Sequence, residues 1–272
     1  MVKKIFCIII KFMEFSLLTY NILFNKALPR IKTILQKYQP DILCLQEIET
    51  SEANFKKLDD LNYKLANYSN YMIKFDKIFG MATFYKENRF YFDESQIIPI
   101  KHTFLDWIIS LPKILSGKKA KRCFLKTIFI EKKTLKKIVV YNTHLTVFGS
   151  NNEKIKQIKE ALNEVKNNDK HSVIIAGDFN YFPYGRKNLE KTMWAFGFKE
   201  ATNNISYTIK YRNLKQFYYN FIPRIITKTF IHIFTDRLKI DYIFFKNLKL
   251  KKTERIEVDF SDHFPIFAQF KF

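Results

Sequence analysis

The sequence predicts an α/β fold in which two sheets pack face to face with helices outside. Three observations lead there. Short apolar, β-prone runs recur along the chain and outnumber the helical stretches. Several of these runs end on a polar residue, as buried strands do when they reach an open end of a sheet. The helical stretches carry one apolar face each, so each covers one side of something else.

The elements follow in order. Phe15 to Leu23 reads as a strand carrying Thr19-Tyr20-Asn21. Ala27 to Tyr38 places Leu28, Ile31, Leu35 and Tyr38 at helical spacing, with Pro29 in the first turn, where proline is tolerated. Pro40 stops that helix, and Asp41 to Leu45 is a buried strand ending in Gln46-Glu47. Ser51 is placed to cap a short helix bearing Phe55, Leu58 and Leu61, and residues 71–100 form several strands around Gly80. Cys123 to Glu131 and Lys137 to Thr143 pair as a hairpin, the second strand running into His144. Ser150-Asn151-Asn152-Glu153 is a capping box, opening a helix with Ile155, Ile158, Leu162 and Val165 on one face. Leu189 to Phe196 is a helix closed by Gly197, and residues 201–236 are weakly patterned. Lys239 to Phe245 is a strand containing Asp241. Arg255 to Asp259 alternates polar and apolar residues. The last strand follows Ser261-Asp262-His263, with Phe264, Ile266, Ala268, Phe270 and Phe272 on one face.

One stretch organises the rest: Val173 to Ala176, then Gly177-Asp178-Phe179-Asn180. Asp178 and Asn180 are two positions apart, so on an extended chain they face the same way, an acceptor beside a neutral donor. The same residues also suit an Asx turn. Asn21, Glu47, His144 and the Asp262-His263 pair share this strand-end context, and Asp241 lies within a strand. Taken singly, each has an ordinary structural reading as a turn residue, a solvated acid, a satisfied buried histidine or an ion-pair partner. Taken together, they make one chemistry. Glu47, Asn21 and Asp262 offer hard oxygen ligands of limited charge, which suits Mg²⁺, with Mn²⁺ as an alternative. No thiolate or histidine cluster has zinc spacing. His263 and Asp241 suit a base and its orienting carboxylate, and a protonated His144 would stabilise a phosphoryl oxygen or help the leaving group. The sum is metal-assisted in-line attack of water on phosphorus.

These residues, in this order, resemble the endonuclease/exonuclease/phosphatase superfamily, which includes DNase I, AP endonucleases, neutral sphingomyelinases, deadenylases and inositol polyphosphate 5-phosphatases. The matching motifs are Thr19-Tyr20-Asn21, Leu45-Gln46-Glu47, Asn142-Thr143-His144-Leu145, Gly177-Asp178-Phe179-Asn180, Ile240-Asp241-Tyr242 and Ser261-Asp262-His263, and they span most of the chain. The resemblance implies a four-layer α/β/β/α sandwich of two mostly antiparallel sheets with the site at one end. It implies Glu47 as the main metal ligand with Asn21 and Asp262 assisting, and Asp178 positioning the attacking water. Asn180 and His144 would hold the phosphate, and His263 would pair with Asp241. The histidine at 144 is similar to the DNase, sphingomyelinase and deadenylase side, since the AP-endonuclease side usually has a tyrosine in that role. Gly80 to Lys86 departs from the Gly-x-Ala-x-x-Ser-Arg-like strand of relatives, which puts a Ser/Arg phosphate contact there in doubt.

Composition bounds the remainder. Of 272 residues, 47% are hydrophobic and 27% charged, ordinary for a globular protein, and no Gly/Ser/Pro-rich linker or internal repeat divides them. A single catalytic domain is expected over residues 15–272, with residues 1–14 an extension or extra strand. The apolar run from Ile5 to Ile10 ends at Lys11 without a cleavage site, so it is not read as a signal peptide, and a cytoplasmic location is expected. Cys7, Cys44 and Cys123 have no pairing pattern, which suits a reducing compartment. The formal net charge of +21 favours an anionic phosphoester partner. Nucleic acid stands slightly ahead of a phospholipid headgroup, and no obligate protein partner is evident. A phospholipid phosphodiesterase of sphingomyelinase type, an inositol-phosphate or nucleotide phosphatase, and a non-catalytic anion-binding module are the alternatives. Phe104 to Leu115 with Lys118, Lys119, Lys121 and Arg122, and the apolar, basic residues 217–234, read as covering segments. A peripheral membrane contact through residues 104–122 is the second reading.

Overall fold

The computed structural model describes residues 14–101, 122–147, 149–166, 170–210 and 237–272. The expected N-terminal extension, the 104–115 stretch with Lys118, Lys119 and Lys121, and the 217–234 segment lie outside the described residues. The first sheet contains β1 (Glu14–Asn21), β2 (Ile42–Glu49), β3 (Lys64–Lys74), β4 (Lys77–Tyr85), β13 (Lys249–Arg255) and β14 (Ile266–Lys271), in the order β13-β14-β1-β2-β4-β3. The second contains β5 (Phe90–Pro99), β6 (Cys123–Glu131), β7 (Lys137–His144), β8 (Ser172–Asp178), β9 (Lys199–Glu200) and β12 (Asp241–Lys246), in the order β5-β6-β7-β8-β12-β9, and a separate short ladder pairs β10 (Ile209–Lys210) with β11 (Arg237–Leu238). Each sheet has one parallel pair at its centre, β1 with β2 and β7 with β8, and antiparallel neighbours elsewhere.

Helices α1 (Ile31–Tyr38) and α2 (Glu52–Asp59) cover the first sheet through a core that includes Ile31, Ile34, Leu43, Leu45 and Leu58. Helices α3 (Asn151–Lys166) and α4 (Arg186–Ala195) cover the second through Ile155, Ile158, Leu162, Leu189, Val173 and Ile175. Between the sheets lies a third core of Leu17, Ile42 and Cys44 from one side and Val140, Ile174 and Ile243 from the other. The layers are therefore α/β/β/α, as expected. The alternation is what makes this possible: Val173 and Ile175 face the helices, while Ile174 and Ala176 face the other sheet.

Local signals set the ends of these elements. The capping box forms, with Ser150 N and Oγ donating to Glu153 Oε2 at 2.7 and 2.9 Å and Glu153 N donating to Ser150 Oγ at 3.3 Å. Helix α1 starts through a 3₁₀ turn over Leu28–Arg30 and ends at Gln39, whose φ of 45° closes the helix before Pro40. Ser51 precedes α2 without a side-chain capping bond, contrary to the expected cap. Strand β3 begins earlier than read from the sequence. The alternating stretch Arg255 to Asp259 is not a strand; β13 ends at Arg255 instead.

Beneath the open end of the sandwich, two amides tie the sheets together. Gln46 Nε2 donates to Asn142 Oδ1 at 2.8 Å and to Thr19 Oγ1 at 3.1 Å, while Asn142 Nδ2 donates to the carbonyls of Leu45 and Ala82 at 3.2 and 3.1 Å. Both side chains are fully buried. Each sits next to or near a candidate site residue, Gln46 before Glu47 and Asn142 two before His144, so the clamp joins the two sheets directly beneath the site.

Candidate active site

Parallel pairing brings the site residues to one end. The C-terminal ends of β1 and β2 lie side by side, with Asn21 opposite Gln46, and those of β7 and β8 likewise, with His144 opposite Asp178. Strand β12 runs the other way and begins at Asp241, opposite Asp178. Gly177 allows this crossing. Its φ is 141°, and a Cβ there would sit 2.0 Å from the Thr143 carbonyl oxygen.

The carboxylate of Asp178 lies at the centre. Its Oδ2 is 3.2 Å from Asn21 Nδ2, 3.4 Å from His144 Nε2 and 3.8 Å from His263 Nε2. Its Oδ1 accepts the Asn180 amide at 2.9 Å. The Asx turn and the site therefore coexist in one residue. Asn180 has φ 47°, so it leaves the extended chain rather than facing the way Asp178 faces. Its Nδ2 donates to the Leu145 carbonyl at 3.1 Å, and the buried Lys154 Nζ donates to the Asn180 carbonyl at 2.5 Å.

Glu47 does not end its strand. Strand β2 continues to Glu49, and the register against β4 shifts between Gln46 and Ile48. Glu47 occupies that bulge with φ 56°, which re-aims its side chain toward the site. Asn21 Nδ2 lies 3.3 Å from Glu47 Oε1, while Oε2 is buried without a partner among the described residues. Burial pushes the Glu47 carboxyl up to about 7, with the negative charge of Asp262 adding to it. Burial also raises Asp178 to about 7, against the opposing pull of His263. Asp262 is itself buried, its Oδ1 3.1 Å from Ser261 Oγ, which donates to the Asn21 carbonyl at 2.8 Å.

The two histidines differ. His263 Nδ1 lies 2.9 and 3.1 Å from the two oxygens of Asp241. Burial alone would depress its pKa, but the charge and hydrogen bond of Asp241, with Asp262 and Asp178, raise it well above the ordinary range. Asp241 is held in turn by Thr208, whose Oγ1 accepts the amides of Ile240 and Asp241 at 3.0 Å each. His144 is held well below the ordinary range by burial, with Arg122 and His263 adding to the effect, so the protonated form considered from the sequence is disfavoured. Its Nδ1 faces the Tyr71 hydroxyl at 2.6 Å, and that hydroxyl accepts the Glu47 amide at 3.1 Å.

All eight candidate residues thus come to one end of the sandwich, with Asn180 at its margin. Sequence reasoning missed Tyr71, Thr208 and Arg122 as neighbours of the site. Tyr71 had no clear signal: in β3, Ser69 and Tyr71 are buried while Tyr68 and Asn70 are exposed, an alternation that the residue types themselves do not follow. Thr208 had none, lying in a weakly patterned region.

Among the described residues, Asp178, Asp241 and His263 present ligand atoms all within 4.8 Å of one another, a cluster capable of holding a divalent metal. The model of the Endonuclease/Exonuclease/phosphatase family matches residues 18–263. The chain belongs to this family. Solved structures of similar fold include the human Nocturnin catalytic domain with bound sulfate, at 18% identity and TM-score 0.71, covering 95% of this chain and 94% of that one. A mannosyl-6-phosphatase of Bacteroides thetaiotaomicron matches at 18% identity and TM-score 0.65, covering 95% and 100%. D. rerio TDP2 in complex with a single-strand DNA product matches at 17% and TM-score 0.63, covering 95% and 99%. No curated protein matches the chain by sequence. Within the family, the buried Asp/Asp/His cluster is compatible with metal-assisted phosphoesterase chemistry and with binding an anionic phosphoester. No helix among the described residues is long and apolar enough to cross a membrane.

Proposed function

We propose that this chain is a Mg²⁺-dependent phosphodiesterase, with nucleic acid favoured over a phospholipid headgroup as substrate, acting within one domain over residues 15–272. The observation that carries the metal is the Glu47 carboxylate. Its Oε2 is buried without a partner among the described residues, and Asp262 raises the cost of its charge. A carboxylate buried in that state is relieved either by a proton or by a bound cation, and a divalent ion held there would keep it ionised. Glu47, assisted by Asn21 and Asp262, would hold the ion through hard oxygens, the donor set suited to Mg²⁺ or Mn²⁺. The rival position is the Asp178/Asp241/His263 cluster. There, however, His263 Nδ1 and both Asp241 oxygens already satisfy one another. The bound ion would supply Lewis-acid polarisation of a phosphoryl oxygen.

The chain's own groups divide the remaining work. Asp178 Oδ2, facing the open end between both histidines, orients the attacking water. Asp241 orients the ring of His263 and stabilises its charge, which places a cationic Nε2–H beside Asp178. His144 and the second Nδ2 proton of Asn180, beside the one given to Leu145, hold the phosphoryl oxygens as neutral donors.

The preference for nucleic acid draws on the excess of Lys and Arg, and the single-strand DNA complex of TDP2 is a precedent within the same fold. A substrate panel tests it: single- and double-stranded DNA, abasic DNA, poly(A) RNA, sphingomyelin vesicles, inositol phosphates and a sugar phosphate, each with Mg²⁺ and with EDTA. Cleavage of a nucleic acid that stops in EDTA is the expected result. Cleavage of sphingomyelin or a phosphomonoester alone would overturn the substrate. Tight binding of one member without turnover of any would make this a binding module.

A further inference from the structure

The mechanism above uses His144 as a neutral donor, and an imidazole can donate from either nitrogen. Nε2 faces Asp178 Oδ2 and Glu47 Oε1, at 3.4 and 4.0 Å; it is buried and makes no aligned hydrogen bond among the described residues. Nδ1 faces the Tyr71 hydroxyl at 2.6 Å. The direction of that bond follows from the third partner. A backbone amide can only donate, so the Glu47 N–H gives its proton to the phenolic oxygen at 3.1 Å. The phenol's own proton then has His144 Nδ1 as its acceptor. The opposite arrangement, with Nδ1–H donating, would leave the phenolic proton buried without an acceptor among the described residues.

We propose that Tyr71 is a positioning residue that fixes His144 as the Nε2–H tautomer and so aims a neutral donor at the phosphoryl oxygen. The same hydroxyl pins the amide of Glu47 at its bulge, so one side chain from β3 couples the carboxylate expected to hold metal to the imidazole expected to hold phosphate. Arg122 secures the pair from outside. Its guanidinium lies 4.8 Å over the Tyr71 ring, and its Nη1 donates to the His144 carbonyl at 3.2 Å. The ring packs edge-on against the imidazole, with centroids 5.2 Å apart, so Tyr71→Phe removes the hydroxyl while keeping the packing. The role in catalysis rests on the phosphodiesterase reading; the tautomer does not.

The test is histidine NMR on the full chain labelled with ¹³C,¹⁵N-histidine, with His144 assigned by His144→Gln. His144 should show a protonated Nε2 and an unprotonated, pyridine-type Nδ1. Tyr71→Phe should convert it to a mixture of tautomers. With bis(p-nitrophenyl) phosphate and Mg²⁺, the same substitution should lower kcat/KM by about tenfold, the scale of losing a bond that orients a functional histidine. A protonated Nδ1 in the unsubstituted protein would overturn the proposal even if the variant failed to fold. So would a Tyr71→Phe protein with a lower Tm but an unchanged His144 tautomer, the mark of a structural role alone. An inactive protein whose Nε2–H tautomer is present, and is lost in Tyr71→Phe, would uphold the hold on His144 while overturning the phosphodiesterase reading.

Discussion

His144, at the end of β7, and His263, in the loop ahead of β14, are both buried, both face Asp178, and are held in opposite states. His263 has a carboxylate on its Nδ1 and is driven toward the cation. His144 has only a neutral phenol on its Nδ1, and burial, with the Arg122 guanidinium and His263 adding to it, drives it toward the neutral ring. The lesson is that the residue type does not settle the role of a buried histidine. The partner on the far nitrogen does, because burial removes the water that would otherwise level the two. One site thereby obtains a charged and an uncharged imidazole on either side of one carboxylate, which is how groups of the same kind take different tasks.

The largest effects should come from the His263 side. His263→Ala and Asp178→Asn are each expected to lower turnover by on the order of a hundredfold or more, the scale of losing an acid–base group. Steady-state rates on the substrate found in the panel are the check, and full Mg²⁺-dependent activity in either variant would end the assignment of roles.

The metal position is the next point of contrast. Glu47→Gln should weaken Mg²⁺ binding by roughly 10–100-fold, read by isothermal titration calorimetry, with Asp241→Asn doing much less. The reverse order would move the ion to the Asp178/Asp241/His263 cluster.

A smaller effect follows from pH. The carboxyls of Glu47 and Asp178 are raised to about 7 in the fold, so without metal their contribution to stability is complete below the unfolded value near 4 and is lost as pH rises through about 7. A divalent ion binds the deprotonated forms. The rise in Tm on replacing EDTA with Mg²⁺ should therefore be about 5 °C or more above pH 7 at a hundredfold excess over Kd, and should shrink toward pH 5. A pH-independent difference would remove these carboxyls from the metal site.

The smallest effect on catalysis should come from the clamp beneath the site. Gln46→Leu leaves the Asn142 amide oxygen buried without its donor. It should cost about 1–3 kcal/mol of stability in urea melts while the folded fraction keeps its kcat. A loss of kcat as large as that of His263→Ala would show that the clamp sets site geometry directly.

Where the sequence could be read, the signal was local. The capping box at Ser150 and Glu153, the proline after α1 and the apolar run of Val173 to Ala176 act over a few residues, and each is in place in the fold. Strand β13 escaped because it is an edge strand with Lys249, Lys251 and Lys252 exposed, so it lacks the alternation a half-buried strand shows. Asn180 was expected to face with Asp178, and the left-handed backbone at Asn180 broke the period on which that expectation rested.

By itself, then, the sequence determined the family, the order of the strands' polar ends and the set of residues that could meet, because apolar runs and their terminators are written in consecutive positions. The tertiary structure alone decided that Glu47 sits on a bulge, with one oxygen unpartnered among the described residues, and that Asp178 stands between two histidines. It alone placed Tyr71, distant in sequence from both, so that it joins Glu47 to His144. Those outcomes depend on which sheets face each other and on how much water is excluded between them, and neither quantity belongs to any short stretch of chain.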